Sequence, residues 1–435
     1  FFIAFMVKYY EYTKDNSAIY TFNNNSNIPV YFFMSVVVAL FFGLTMSAEE
    51  IFRDRKILKR EEFLHLSRSS YLVSKVIVMF SFSAIQTLFF IIIGNWILEI
   101  PLTEMRYWFI LFSSSCFANM VGLNLSSGFD SAVTIYILIP LFLIPQLLLS
   151  GVVISFDKFN PKVGKPVGVP LIGEMMASRW AFEAFMVTQF KDNPFQKQFY
   201  PLDQKIAEAE YMRLYYIPKL ESELSYCLNH RADWQNRNAT EMVNSLALLQ
   251  SEIRNELKNF PEGKFPEVER LAIGKIDSTV LDKTEQFLQG LRGYYRSQLN
   301  KANRQKEQLK ASLTSTDADF SRYEKARMTF TNKAVAENVE GKNSASRIVE
   351  YKGALIRKFS PIYMLEHKPS NFFDFSANMY QPTKHFAGKE FYTLYFNIAV
   401  IWCMTGIFFV TLYIDALRRL IKRLESSRKY RVKEK

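Results

Sequence analysis

Five apolar runs, at 29–47, 71–100, 107–124, 132–156 and 391–414, constrain this 435-residue chain more than any other feature. A helix needs roughly 20 apolar residues to cross the hydrocarbon core of a bilayer, and each run reaches or approaches that length. Within lipid a helix satisfies its own backbone polar groups, so these runs predict transmembrane helices. The stretch Phe1–Tyr9 opens on apolar sequence without a basic leader region and reads as the end of a first span, the chain looking truncated there. That makes six spans, the first only partly present. Between 195 and 385 no such run occurs and Lys, Glu and Gln abound. The mean hydropathy of -0.04 therefore averages a membrane domain with a polar insert.

Charge placement orients the spans. The net charge is +12, and nine basic residues crowd the tail from Arg418 to Lys435, directly after the last apolar run. The loop 48–70 adds Arg53, Arg55, Lys56, Lys59, Arg60 and Arg68, whereas 9–28 offers Lys14 and 98–106 offers Arg106. Basic loops stay on the cytoplasmic side, so the 48–70 loop and the tail are expected there and the 195–385 insert outside. No nucleic-acid recognition motif accompanies the charge, and anionic lipid headgroups are the simpler partner for the tail. Cys116 and Cys403 lie in apolar runs and Cys227 stands alone, which excludes a disulfide framework. His65, His230, His367 and His385 show no metal-ligand spacing, so no metal site is expected. Neither a Ser/His/Asp set nor a carboxylate pair marks a catalytic centre. Acidic residues are nearly absent from the spans, which argues against a proton-coupled carrier.

Local patterns add detail. Ala48–Leu66 mixes both signs of charge with Ile51, Phe52, Leu58, Phe63 and Leu64 and holds no Gly or Pro, predicting a helix along the membrane surface, with a solvated linker as the alternative. The fifth span carries Pro140 and Pro145, read either as breaks in a pathway-facing helix or as kinks in a packing helix. In the insert, Ile217, Leu220, Leu224 and Leu228 recur at helical spacing, as do Met242, Leu246, Leu249, Ile253 and Leu257, then Leu281, Leu288, Leu291, Tyr295 and Leu299. An antiparallel, partly coiled-coil helical bundle is expected. From about 345 to 389 the sequence turns aromatic and irregular, with Phe372, Phe373, Phe375, Tyr380 and Phe386, which suits packing near the outer interface. The fold class is all-α, with domains at 1–194, 195–385 and 386–435.

Four segments, in order, resemble the permease of a G-subfamily (white/pleiotropic-drug-resistance type) ABC transporter. Glu50, Phe52, Arg53, Lys59, Arg60, Glu61 and Glu62 lead into Ser69-Ser70-Tyr71 and Lys75. Leu147-Leu148-Leu149-Ser150-Gly151-Val152-Val153 is similar to the motif ending the family's fifth span. Ser178-Arg179-Trp180-Ala181-Phe182-Glu183-Ala184 is similar to its external segment, and Tyr392–Tyr413 to its last span. The resemblance covers roughly 29–192 and 386–420; the insert departs from it, since the family's external loop is much shorter.

The resemblance implies an ATP-driven exporter of a lipid or another amphipathic molecule, working as a homodimer; the long helical insert without a disulfide suits a bacterial cytoplasmic membrane with the insert in the periplasm. ATP and Mg would bind an ATPase domain N-terminal to Phe1 or on a separate subunit, because no Gly-x-x-x-x-Gly-Lys-Ser/Thr loop occurs in the sequence. It further implies a coupling helix at 48–66 with Glu50, Arg53, Arg60 and Glu62 as contacts, the alternative being a solvated charged face. A cavity would be lined by Leu40, Gly43, Ile144 and Leu147, below an apolar plug of Val152 and Val153; the alternative is that these residues face lipid or core. Two other readings stay open: a mechanical transducer whose external helices drive a periplasmic protein, and a receptor or scaffold without transport.

Overall fold

In the computed structural model the described residues are 1–12, 18–61, 67–101, 104–160, 162, 164, 168–234, 239–261, 263–341, 346–364, 375 and 377–433. The chain divides into two compact units: Phe1–Pro194 with Ala326–Ala336 and Pro369–Lys435, and Phe195–Lys325 with Glu337–Lys368.

The first unit opens with α1 (Phe2–Val7) and a small hairpin, β1 (Glu11–Tyr12) with β2 (Ala18–Ile19). It continues through α2 (Ile28–Ser47), α3 (Glu50–Glu61), α4 (Arg68–Leu98), α5 (Glu104–Gly128), α6 (Ala132–Leu148), the short α7 (Leu171–Glu174) and α8 (Ala177–Lys191). The polar stretch then forms α9 (Gln196–Tyr211), a π turn (Met212–Tyr216), α10 (Ile217–Asn229), α11 (Thr240–Leu257), α12 (Ser278–Leu313), α13 (Asp317–Phe330) and α14 (Lys333–Val339). Two hairpins follow, β3 (Ile348–Tyr351) with β4 (Ala354–Arg357) and β5 (Thr383–Phe386) with β6 (Lys389–Tyr392), before α15 (Thr393–Tyr413) and α16 (Ala416–Lys433). The expected all-α class holds, with three two-stranded hairpins added.

Helices α2, α4, α5 and α15 are long and apolar enough to cross a membrane, while α6 has 17 residues and is shorter. The apolar run 132–156 predicted a span reaching residue 156; the helix ends at Leu148 instead. Its prolines are not the reason, since Pro140 and Pro145 both lie inside the helix. Leu149 caps the helix, and the turn that follows centres on Gly151, at φ +79°, where a Cβ would collide with the Phe156 ring. The chain turns back on itself there, and only glycine fits both the left-handed backbone and the ring.

Burial explains the composition of the spans. Of the apolar window of α4 only 22% is buried, against 83% for α5, which makes α5 the centre of the bundle and leaves α4 largely uncovered. A helix surrounded by protein can carry polar side chains that bind its neighbours. Asn119 of α5 donates to Ser83 Oγ on α4 at 2.7 Å, and Ser115 lies 2.9 Å from the same hydroxyl. On the other side Asn124 donates to Phe408 O at 2.8 Å and accepts from Thr411 Oγ1 at 3.0 Å, while Trp402 donates to Ser113 at 3.0 Å. Small residues bring α2 against α5: a Cβ on Gly43 would lie 2.5 Å from Ser115 O, and one on Gly122 would collide with Ser47 Oγ.

The second unit has its own core, in which the three leucine-rich series meet. Leu220, Leu224, Leu246, Leu249, Ile253, Leu281, Leu288 and Leu291 are all buried in one cluster. Asp277 starts α12 by accepting the Val280 N–H at 2.8 Å. The π turn at Met212–Tyr216 ends just before Pro218, which has no N–H to return to Leu214 O. Two carboxylates, Glu252 and Glu256, are buried one turn apart on α11. Glu252 accepts from Tyr216 Oη at 3.0 Å and from the Leu355 N–H of β4 at 2.9 Å; Glu256 accepts from Tyr295 Oη at 2.5 Å.

Candidate functional site

The helix after the second span is the best-built polar site of the first unit. α3 follows α2 after only Ala48 and Glu49, and its first turn is capped by another helix rather than by its own chain. Ser126 Oγ, near the end of α5, accepts the N–H groups of Ile51 at 3.0 Å and Phe52 at 2.9 Å. These are among the donors that a helix start leaves unsatisfied. One turn on, Arg55 donates to Ser126 O at 2.9 Å and to Ser127 O, and pairs with Asp130. Its guanidinium thus meets the carbonyl end of α5, where the helix dipole favours positive charge.

A second attachment runs to α4. Glu50 and Asp54, one turn apart on α3, close on Lys75 at 2.8 and 2.7 Å, and Tyr71 Oη donates to Asp54 at 3.1 Å. Beside them Arg68, at the start of α4, pairs with Asp415 at 2.5 Å, and Asp415 accepts from Ser127 Oγ at 2.9 Å. Since Asp415 follows α15, the ends of α3, α4, α5 and α15 are joined through one group of polar contacts. Ile51, Leu72, Met120, Leu123 and Leu412 form the apolar floor beneath it.

Of the four coupling residues expected from the sequence, Glu50 is inside this network, bonded to Lys75 and to Arg53 at 2.8 Å. Arg53 and Arg60 lie on α3, Arg60 exposed and Arg53 with its side chain 67% accessible, and Glu62 lies outside the described residues. Sequence reasoning missed Asp54, Asp130, Ser126 and Asp415 as partners. The available signal was the Glu50/Asp54 spacing, which puts two carboxylates on one helix face opposite the first lysine of the next span.

The expected cavity residues do not share a surface within one chain. Leu40 and Gly43 are fully covered, and Gly43 is pressed against α5. Ile144 is exposed on α6 and Leu147 is half-buried. The face of α2 left uncovered carries Met34, Phe41, Phe42 and Met46. Val152 is half-buried and Val153 exposed, just past the Gly151 turn.

A second polar cluster surrounds α8, whose residues Ala177 to Phe190 are all buried. Its N-terminus is tied to α6, with Ser178 Oγ donating to Gln146 O at 2.6 Å and Ser178 N–H to Gln146 Oε1 at 3.1 Å. Arg179, Glu183 and Lys384 are fully buried. Lys384 of β5 meets Glu183 at 2.5 Å, Asn397 of α15 donates to Glu183 at 3.0 Å, and the Tyr380 N–H donates to it at 2.6 Å. Arg179 reaches Glu174 at 3.1 Å and lies 3.8 Å from the Trp180 ring centroid. Burial pushes the Lys384 ammonium down, to about 8, against the pull of the Glu183 charge. Paired charges at this depth fix geometry, because losing either partner strands the other. A third set of contacts ties residues from within the polar stretch to the start of α2: Asn332 donates to Phe22 O at 2.6 Å and Asn25 O at 2.9 Å, and Asn23 to Thr331 Oγ1 at 2.7 Å. Among the described residues no group of three His, Cys, Asp or Glu side chains could hold a metal ion.

Residues 1–190 match the family model described as "ABC-2 type transporter". A curated relative, the "ABC transporter G family member STR" of Medicago truncatula, is 26% identical over 163 residues, which is 37% of this chain and 19% of the relative. The chain thus spans about a fifth of that relative's length. No solved structure matches the chain. The matched region contains α1–α7 and nearly all of α8, so α3 and its contacts on α4 and α5 lie in a part of the chain similar to ABC-2 type transporters, while Asp415 and Leu412 lie beyond it.

Proposed function

We propose that the chain is the permease half of an ATP-driven exporter, which moves a lipid or another hydrophobic or amphipathic molecule out across the cytoplasmic membrane as a homodimer. The observation that carries this reading is the attachment of α3. Its Arg53 and Arg60 offer a surface for an ABC ATPase, and its other faces are bound to α4 and α5 and, through Arg68 and Asp415, to the end of α15. Displacing α3 therefore displaces three spans. ATP and Mg belong to the associated ATPase domain in this proposal, whether fused upstream or separate.

The cavity in this reading lies between two copies, where an apolar lining selects apolar cargo. Ile144 and Leu147 keep the lining role on α6. On α2 it passes from Leu40, which is buried, and Gly43, which α5 covers, to Phe41 and Phe42 beside them. Val152 and Val153 form the plug. This reading puts the chain in a bacterial inner membrane with the helical unit in the periplasm.

The test is reconstitution of this chain with its ATPase in liposomes, following ATP turnover and transfer of a labelled phospholipid together. Lys75→Met is expected to leave ATP turnover measurable and to reduce transfer about tenfold, because it removes the partly buried cation that holds Glu50 and Asp54 of α3 on α4. ATP turnover in the parent protein with no lipid movement would favour a second reading, a mechanical transducer acting on a periplasmic protein. One observation supports that alternative: Ala326–Ala336 belongs to the first unit although its sequence neighbours on both sides belong to the second, and its Asn332 is bonded at the start of α2.

A further inference from the structure

The last span does not simply run on into the basic tail. Tyr413 ends α15, and Asp415 adopts φ +49°, a left-handed conformation that breaks the helix and that Asp tolerates better than most residues. The break is held from outside by Arg68 at 2.5 Å and Ser127 Oγ at 2.9 Å. A new helix, α16, starts at Ala416 and runs to Lys433. It therefore begins three residues beyond a membrane-crossing helix, at the level where headgroups lie.

Its sequence is sharply two-sided. Leu417, Leu420, Ile421 and Leu424 repeat at steps of three, one and three, which is one helical face. Arg418 and Arg423 flank that face, Arg419 and Lys422 stand on the opposite one, and the same helix continues through Arg428, Lys429, Arg431 and Lys433. Part of the apolar face is used by the protein: Leu417 and Ile421 sit over Gly128 at the end of α5, 2.8 and 3.5 Å from where a Cβ would be. The rest is not, for Leu420 is 55% and Leu424 62% exposed. Among the described residues Arg418, Arg419 and Lys422 form no ion pair. An exposed leucine alone means little. Two leucines one turn apart, flanked by arginine at the mouth of a span, are the signature of a helix lying in the interface plane.

We propose that α16 is a docking surface for an anionic bilayer: Leu420 and Leu424 enter the boundary between headgroups and acyl chains, and Arg418, Arg419, Lys422 and Arg423 bind lipid phosphates. The partner follows from charge complementarity and from continuity with the span. The attraction of a basic helix to an anionic leaflet decays within about 10 Å, so it operates only where the protein already places the helix at the surface. Gly128 and the Asp415 turn provide that placement. The consequence is a permease whose cytoplasmic end senses the charge of the leaflet, and the same contacts that hold Asp415 also belong to the α3 network.

The experiment uses the full chain in nanodiscs, with Cys403→Ala to remove the exposed thiol and Leu424→Cys carrying an environment-sensitive NBD probe. Discs of phosphatidylcholine alone are compared with discs containing phosphatidylglycerol. In anionic discs the probe is expected to shift to the blue and its quenching by aqueous dithionite to slow about tenfold relative to neutral discs, an effect that about 0.5 M salt reverses in part. Arg418, Arg419, Lys422 and Arg423 replaced together by Gln should erase the difference between discs, with far-UV circular dichroism confirming an intact fold. Free quenching in anionic discs would overturn the proposal. Equal protection in anionic discs, neutral discs and detergent would overturn it too, and would assign the face to a protein partner such as the ATPase. The lipid comparison does not depend on the Gln variant folding.

Discussion

Glu252 and Glu256 make the helical unit respond to acid in a defined direction. Burial pushes both carboxyls above the ordinary value of 4.5, and their partners are tyrosine hydroxyls, one backbone N–H and the Asn259 side chain rather than cations. The unfolded chain ionises first as pH rises, so the stability linked to these groups is fully present below about 4.5 and is lost as pH climbs through the raised values. A tenfold weaker acid in the folded chain corresponds to about 1.4 kcal/mol. Glu252→Gln with Glu256→Gln should therefore unfold at a higher temperature than the parent chain near pH 7.5 and at a similar one near pH 4.5. Scanning fluorimetry of the full chain across that range measures it, and parallel curves for the two proteins would refute the assignment. The charges around α8 behave differently. Lys384→Met strands Glu183 against a more distant Arg179, at 3.7 Å, and should destabilise the first unit by about 3–5 kcal/mol. A Lys384→Met/Glu183→Met pair should lose clearly less than the two single changes added together, as a double-mutant cycle on chemical denaturation would show. None of these residues was legible as a partner in the sequence. Glu183 and Lys384 lie 201 positions apart, and no local pattern links them.

At the level of elements, hydropathy revealed most of the bundle, because span length and backbone self-sufficiency are properties of a segment alone. It overstated α6, since the Gly151 turn depends on Phe156 coming back to fill the glycine's place, which is tertiary information. It also hid the role of α3, whose charge pattern reads equally as a solvated face; the deciding contacts come from Ser126, Lys75 and Asp130 on other parts of the chain. The leucine series of the second unit read correctly because one helical face was buried in a single cluster. The tight approach of α2 to α5 supplies a prediction. Gly122→Leu drives a side chain into Ser47 and Leu44 and should cost about 1–3 kcal/mol, from overpacking, with the detergent-solubilised protein losing several degrees of thermal stability. Gly290→Ala on α12, where a Cβ meets nothing within 4 Å, is the control and should stabilise slightly if it changes anything.

For the whole molecule, the proposed homodimer is testable by position. Phe41→Cys and Ile144→Cys, on the uncovered faces of α2 and α6, should cross-link between copies in membranes when Cys403 is replaced by Ala. Phe82→Cys, on the uncovered side of α4 that the proposed dimer leaves to lipid, should not. Cross-linking at residue 82 alone would place the contact on a different face. The centrality of α5 has a further outcome, in the order in which the protein is made. It is the least apolar of the four crossing helices, well below the two that precede it. A segment rich in serine and asparagine leaves the translocon as a weak solute for lipid. α2 and α4 emerge first and can shelter it, with Ser83 ready for Asn119 and Ser47 for Gly122. The remaining flank has no such help: Asn124 must wait for Phe408 and Thr411, which are synthesised only after the whole polar stretch. Ribosomes must therefore translate the whole polar stretch while that flank of the bundle stands open, and the last span closes it.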